Sequence, residues 1–225
     1  ITLNHIKNFK VILPTTHEQE IIAEYLDETV QNINKIINEK KLLIRLLQEQ
    51  RESVITEAVT KGLSSNVKMK DSGVEWIGEI PEHWEVVPLK RLSERIEVGI
   101  AEAATHAYRE KGVPIIRATN LKGGKILEKN VLYIDEEFAE KNKSKYMYTG
   151  DLVTVRTGNA GITGVVPESL DKSQCFTMLI TTLKKNNNPN FYSYFLNCSS
   201  GKCYFDVTAW GTAQKNISVP ILQNC

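Results

Sequence analysis

Thr16-His17-Glu18-Gln19-Glu20-Ile21-Ile22 opens a run that reaches Lys61 without a glycine or a proline. A Thr followed three residues later by Gln has the form of a capping box, here Thr16 with Gln19. Gly62 stands where a C-cap glycine belongs. At 1.5 Å per residue such a helix is about 65 Å long. That length belongs to a coiled coil or a helical spacer rather than to the helix of a single small core. The apolar residues agree: Ile22, Leu26, Ile33, Ile36, Leu43, Leu47 and Val54 step by threes and fours, with Thr29, Lys40 and Gln50 filling the same seam. This is a heptad-like stripe, and its polar interruptions can fix register. Ile21, Ile37, Ile44, Ile55 and Val59 widen it. Glu18, Glu20, Glu24, Asp27 and Glu28 crowd the early turns, where the helix dipole favours acids. One helix cannot bury such a face alone, and no other stretch of the chain is long enough to pair with it.

Upstream, Phe9 to Leu13 reads as a short strand stopped by Pro14. Ile1-Thr2-Leu3-Asn4-His5-Ile6-Lys7-Asn8 is echoed by Ile217-Ser218-Val219-Pro220-Ile221-Leu222-Gln223-Asn224, which points to one period of a longer duplicated polypeptide. Downstream, residues 63–82 read as a linker because Ser64, Ser65, Asn66, Asp71, Gly73, Gly78 and Pro81 are turn formers. From His83 the elements become short. Residues 113–116, 131–134, 151–155 and 176–183 read as strands. Asp135 to Asn142 reads as a helix with an Asp N-cap, and Pro189 to Cys198 as another. The expected fold class is therefore α+β: a compact mixed-sheet domain over 83–225, a long coiled-coil-like helix over 15–62, a linker over 63–82, and the tail of a preceding domain over 1–14.

Composition narrows the function classes. The chain is 41% hydrophobic and 24% charged with a net charge of +1, so a DNA-binding reading has to rest on motifs and not on charge. No apolar run is long enough to cross a bilayer. Cys175, Cys198, Cys203 and Cys225 form no C-x-x-C pair, and His5, His17, His83 and His106 are scattered, so no metal site is expected. A few isolated thiols fit a reducing, cytoplasmic setting. The phosphate-binding, dinucleotide, serine-hydrolase and zinc-protease signatures are all missing. Asn188-Pro189-Asn190-Phe191 is similar to the Asn-Pro-Pro-Tyr of amino-methyltransferases. However, Asn190 replaces the second proline and no glycine-rich strand precedes it, so it reads as a loop before a helix. No catalytic residue is assigned.

The remaining phrases resemble one family, the specificity subunits of type I restriction–modification enzymes. Val11-Ile12-Leu13-Pro14-Thr15-Thr16-His17-Glu18-Gln19 is similar to the lead into that family's long conserved helix, with Thr15 where a second proline is frequent. Arg51 to Gly62 resembles the helix end, and Trp84 with Leu89 the opening of a target recognition domain. Ile115 to Leu121, Gly150 to Val153, Arg156 to Gly158 and Gly211 to Ile217 resemble its internal landmarks, in order. The resemblance covers nearly the whole chain. It implies sequence-specific recognition of one half of a split double-stranded DNA target, without bond chemistry in this chain. It also implies methyltransferase and restriction subunits as partners, which would hold S-adenosylmethionine, ATP and Mg. The stripe from Ile22 to Val54 would meet an antiparallel helix from a missing half or from a second copy. Two alternatives stay open: the recognition region of a methyltransferase or fused restriction enzyme with its catalytic domain elsewhere, and a coiled-coil interaction protein with no DNA role.

Candidate DNA contacts follow from chemistry within these phrases. Arg117, Thr119, Asn120 and Lys122 follow a strand, and Arg pairs with guanine and Asn with adenine in the major groove. A loop held by its own side chains is the other reading of the same residues. Arg156, Thr157 and Asn159 surround Gly158, whose freedom suits a loop approaching DNA. Lys141, Lys143 and Lys145, with Tyr146, could hold phosphates, and a solvated helix end is the favoured reading of the same residues. Gln214 and Lys215 lie in a phrase that reads equally as a structural turn. Trp76, Trp84 and Trp210 read as core.

Overall fold

The computed structural model describes residues 7–101, 105–209, 211 and 215–225. One unbroken helix, α1, covers Thr16–Lys61, as the sequence predicts. Its 46 residues span about 69 Å at 1.5 Å each. The cap sits one residue earlier than the expected Thr16–Gln19 pair. Glu18 N donates to Thr15 Oγ1 (3.3 Å), and Thr15 N donates to Glu18 Oε2 (2.9 Å). Thr15 therefore caps reciprocally with Glu18, and a carboxylate replaces the amide in the box. Gln19 turns back instead, its Nε2 donating to Pro14 O at 2.8 Å. At the other end Gly62 lies in the left-handed region (φ +79°), and its N–H donates to Ala58 O. Phe9 to Leu13 does not form the expected strand. It is irregular and exposed, with no strand among the described residues to pair with it.

The chain divides into two compact units, residues 1–51 and 52–225. In the first, the apolar stripe lies open: Ile22, Leu26, Ile33, Ile36, Leu43 and Leu47 are each about half exposed.

The second unit is a mixed-sheet α+β domain. Its first four-stranded sheet contains β3 (Ser93–Val98), β9 (Leu152–Thr154), β10 (Thr163–Val165) and β12 (Leu179–Leu183), in the order β10-β9-β12-β3 and antiparallel throughout. The two-residue period of a strand sends neighbouring side chains to opposite faces, and here both faces are buried. Leu152 and Leu179 join Leu196, Ile217 and Leu222 on one side, while Val153 and Ile180 join Ile116, Met147 and Val155 on the other. The second sheet contains β4 (Tyr108–Arg109), β5 (Val113–Ile116), β8 (Leu132–Ile134) and β11 (Gln174–Cys175), in the order β11-β5-β8-β4, with β11 parallel to β5.

Helices α2 (Leu89–Leu92), α3 (Glu136–Lys141), α4 (Pro189–Asn197), α5 (Ser199–Thr208) and α6 (Val219–Gln223) complete the unit. Asp135 caps α3 as its sequence predicts, accepting from Glu137 N and Phe138 N. The stretch read as a linker is structured. It contains a hairpin of β1 (Met69–Asp71) and β2 (Glu79–Pro81), and Trp76 between them packs on Tyr204 with ring centroids 5.5 Å apart. The second half of the terminal repeat is also structural: Ile217 and Leu222 are fully buried. Of its first half, Ile1 to Ile6 lie outside the described residues, as do Trp210 and Gln214.

Candidate nucleic-acid interface

The loop from Val155 to Ile162 joins β9 to β10. It is closed by hydrogen bonds from Val155 N to Ile162 O (2.8 Å) and from Gly161 N to Val155 O (2.9 Å). One flank is tied down by the segment after the Gly211 phrase. Ile217 N donates to Arg156 O at 2.9 Å, and Thr157 bridges Asn216 in antiparallel fashion. Arg156 Nε donates to Asn216 Oδ1 at 3.1 Å. Among the described residues no further hydrogen bond or ion pair takes up the Arg156 guanidinium, so its two terminal nitrogens remain available as donors. At the tip, Gly158 has φ +82°, and a Cβ built there would meet nothing within 4 Å. Asn159 beside it is exposed. The loop therefore offers a half-anchored cation and a bare backbone turn, the elements needed to approach a phosphate backbone or a base edge.

A second element stands next to it. Strands β6 (Leu121–Lys122) and β7 (Lys125–Ile126) form a hairpin around Gly123-Gly124. A Cβ at Gly124 would lie 3.2 Å from Asn197 Nδ2 and 3.7 Å from Thr163 O, and one at Gly164 would lie 3.0 Å from Ile126. The hairpin is thus packed against β10, beside the base of the Arg156 loop, and both Lys122 and Lys125 are exposed. Lys125 was not singled out by its sequence. The pattern Lys-Gly-Gly-Lys, with a turn-forming pair between two cations, was the available signal.

The other candidates sort by their partners. Asn120 is buried and fully engaged: its Oδ1 accepts from Arg117 N, and its Nδ2 donates to Leu127 O and Lys129 O. It holds the 117–130 loop and has no donor left for a base, which corrects its place among the contacts. Lys145 is likewise turned inward, with Nζ 2.6 Å from Glu97 Oε2. It joins a network in which Arg95 binds Glu97, Asp151, Thr182 and the carbonyls of Ser144 and Tyr146. Tyr146 is partly buried beside the second sheet, and burial raises its phenol above the ordinary value. Lys145 and Tyr146 therefore fasten the 143–151 segment and do not present a phosphate site. Arg117 is intermediate in exposure. One of its terminal nitrogens donates to Asn130 O at 3.3 Å, while its Nε is buried without a hydrogen-bond partner among the described residues. Thr119 is exposed. Lys215 pairs with Asp206 on α5 at the surface. Arg117, Thr119, Lys122, Lys125, Arg156, Thr157, Asn159 and Lys215 thus remain on accessible loops. Asn216, the residue that positions Arg156, joins them as support.

Among the described residues no group of three or more His, Cys, Asp or Glu is placed to hold a metal ion, and no helix is long and apolar enough to cross a membrane.

Comparison with known proteins agrees with the phrases read from the sequence. The chain is 31% identical over 150 residues to the MjaVIII type I restriction enzyme specificity subunit of Methanocaldococcus jannaschii, covering 65% of this chain and 32% of that protein. It is 22% identical over 231 aligned residues to the EcoKI specificity subunit of Escherichia coli, covering 96% of this chain and 47% of the relative. The fold matches a chain in a solved structure of a type I restriction–modification system with a TM-score of 0.61 at 15% identity, over 100% of this chain and 50% of that one. No family model matches. The chain spans 32% and 47% of the length of these two curated relatives.

Proposed function

We propose that this chain is one recognition half of a type I restriction–modification specificity subunit: it reads one part of a bipartite DNA target and places partner subunits there. The observation that carries this reading is the 31% identity over 150 residues to a specificity subunit. The geometry fits it. The Arg156 loop and the Lys122–Lys125 hairpin put cations and a bare turn on one part of the second unit. Phosphate contacts from such cations fix position, and a donor reaching a base edge supplies discrimination. The near-neutral net charge is tolerable where methyltransferase subunits share the clamping of DNA. Those partners would hold S-adenosylmethionine, and restriction subunits ATP and Mg, while this chain carries out no bond chemistry. The setting is the cytoplasm, where the DNA and its partners are.

The exposed stripe on α1 supplies the second half of the reading. Large contiguous apolar patches mark interfaces. Ile22 and Val54, Leu26 and Gln50, and Ile33 and Leu43 are equidistant from Asn38 along the helix. The stripe therefore matches itself when a second copy runs the opposite way, an isologous contact that closes on itself. The full chain should be tested with its methyltransferase subunits against a library of duplexes. Binding that depends on sequence, and weakens with salt as phosphate contacts require, is the expected result. Binding indifferent to sequence at every salt concentration would remove the recognition role.

A further inference from the structure

The second unit contains an apolar cavity of about 360 Å³, lined by Val59, Ile80, Trp84, Leu89, Phe195 and Cys225 among others. Its volume falls in the range of about 300–1,000 Å³ typical of ligand sites, but its walls are almost wholly hydrocarbon and aromatic. Elsewhere the chain carries apolar side chains without a cover: Phe9, Ile12 and Leu13 are 76%, 90% and 88% exposed. A soluble protein does not ordinarily leave such a run in water unless it meets something.

Two observations connect the cavity to that run. The first is the internal repeat. Ile1–Asn8 is followed by Phe9-Lys10-Val11-Ile12-Leu13-Pro14, and Ile217–Asn224 is its echo. In the echo, Leu222 is buried in the core, and Cys225, the residue after the echo, lines the cavity. A segment of the Phe9–Leu13 kind is therefore what the repeat continues into from the cavity rim. The second is register. Val59 and Thr60, from the last turn of α1, line the same cavity. Pairing about Asn38 sets residue 60 of one copy beside residue 16 of the other, and the Phe9–Leu13 segment directly precedes residue 16. Forty-six helical residues separate the segment from the end of its own helix, whereas an antiparallel second copy brings its segment there directly.

We propose that Phe9–Leu13 of a second copy seats in this cavity, so that the two-copy assembly is locked at both ends as well as along the stripe. This inference rests on the antiparallel pairing proposed above. The test uses full chains in a Cys203→Ser, Cys225→Ser background, because Cys203 is an exposed thiol and Cys225, partly exposed, itself lines the cavity. Chains carrying Leu13→Cys are mixed with tagged chains carrying Val86→Cys, at the cavity lining, and treated with a short bismaleimide. The expected product is a covalent dimer of one chain of each kind, formed only in the mixture, since the symmetric pairing keeps like positions at opposite ends. Separately, Ile12→Asp with Leu13→Asp should raise the dimer dissociation constant by roughly tenfold or more, as the loss of buried aliphatic side chains requires. A stable dimer that neither cross-links nor responds to the Asp pair overturns the docking and leaves the helix pairing standing. A strictly monomeric wild type at about 50–100 µM overturns the pairing and the docking together. A link formed within a single chain carrying both cysteines, and not between chains, overturns the choice of a second copy as occupant.

Discussion

Asn120 and Arg156 show how one chemical argument divides at the residue scale. Both types read bases well, and both follow strands in phrases of the same kind. Asn120 faces three backbone groups that need partners, so the fold consumes its amide; among the described residues Arg156 is gripped at Nε alone. Sequence gives the side chain's capacity but not what lies opposite it, which for Arg156 is Asn216, 60 residues away. The two residues should respond differently to truncation. Asn120→Ala should destabilise the second unit by about 1–3 kcal/mol, because three partly buried backbone groups lose their partner; chemical denaturation reads this directly. Arg156→Ala should leave the denaturation midpoint within error and weaken target binding by about 1–3 kcal/mol. Equal loss of stability in both variants would return Arg156 to a structural role.

At the scale of elements, α1 was legible because its signals are local and repeated: a cap, about nine turns of periodic apolar residues on one face, and a terminating glycine. Strands β5, β8, β9 and β12 were legible from their apolar content, whereas β3, the longest at six residues, was not, because Glu94, Arg95 and Glu97 interrupt its apolar pattern. Strands β4, β6, β7 and β11, each two residues long, were not, because only pairing with distant segments defines them. The strand expected at Phe9–Leu13 failed for the converse reason, having β-forming residues but no partner strand among the described residues. The cap makes a pH prediction. Hydrogen bonds from the Thr15 hydroxyl and backbone hold Glu18 below its ordinary value of 4.5. A carboxylate with a lowered pKa stabilises the folded form above that ordinary value, and the contribution is lost as pH falls through the lowered one. The protection factors of the first-turn amides, measured against their intrinsic exchange at each pH, should therefore fall on acidification, and Glu18→Gln should flatten that response. Amide hydrogen exchange across Thr16–Ile22 measures it; an unchanged pH profile in the variant contradicts the reciprocal cap. The stripe is tested by Ile36→Asp with Leu43→Asp, which should abolish self-association in analytical ultracentrifugation while leaving the second unit's near-ultraviolet circular dichroism unaltered. A dimer that survives both changes has another interface.

For the whole molecule, the sequence carried the long helix and the mixed-sheet α+β unit after it, and ordered phrases carried the resemblance, whereas the two compact units divide between Arg51 and Glu52, inside the helix, and not at the expected linker. Symmetry makes a statement about the target available. Two copies related by a two-fold axis present identical recognition loops, and such readers bind inverted repeats. Paired copies with methyltransferase subunits should accordingly act on a symmetric, interrupted site. The central claim, that this chain directs DNA modification by recognising sequence, is tested most directly by mapping methylated bases across the genome of the source cell with and without its gene. The expected result is that methylation at one interrupted motif disappears with the gene and returns on complementation, while all other methylated motifs persist. An identical methylation map in both strains, with the methyltransferase partners present and active, would contradict the account.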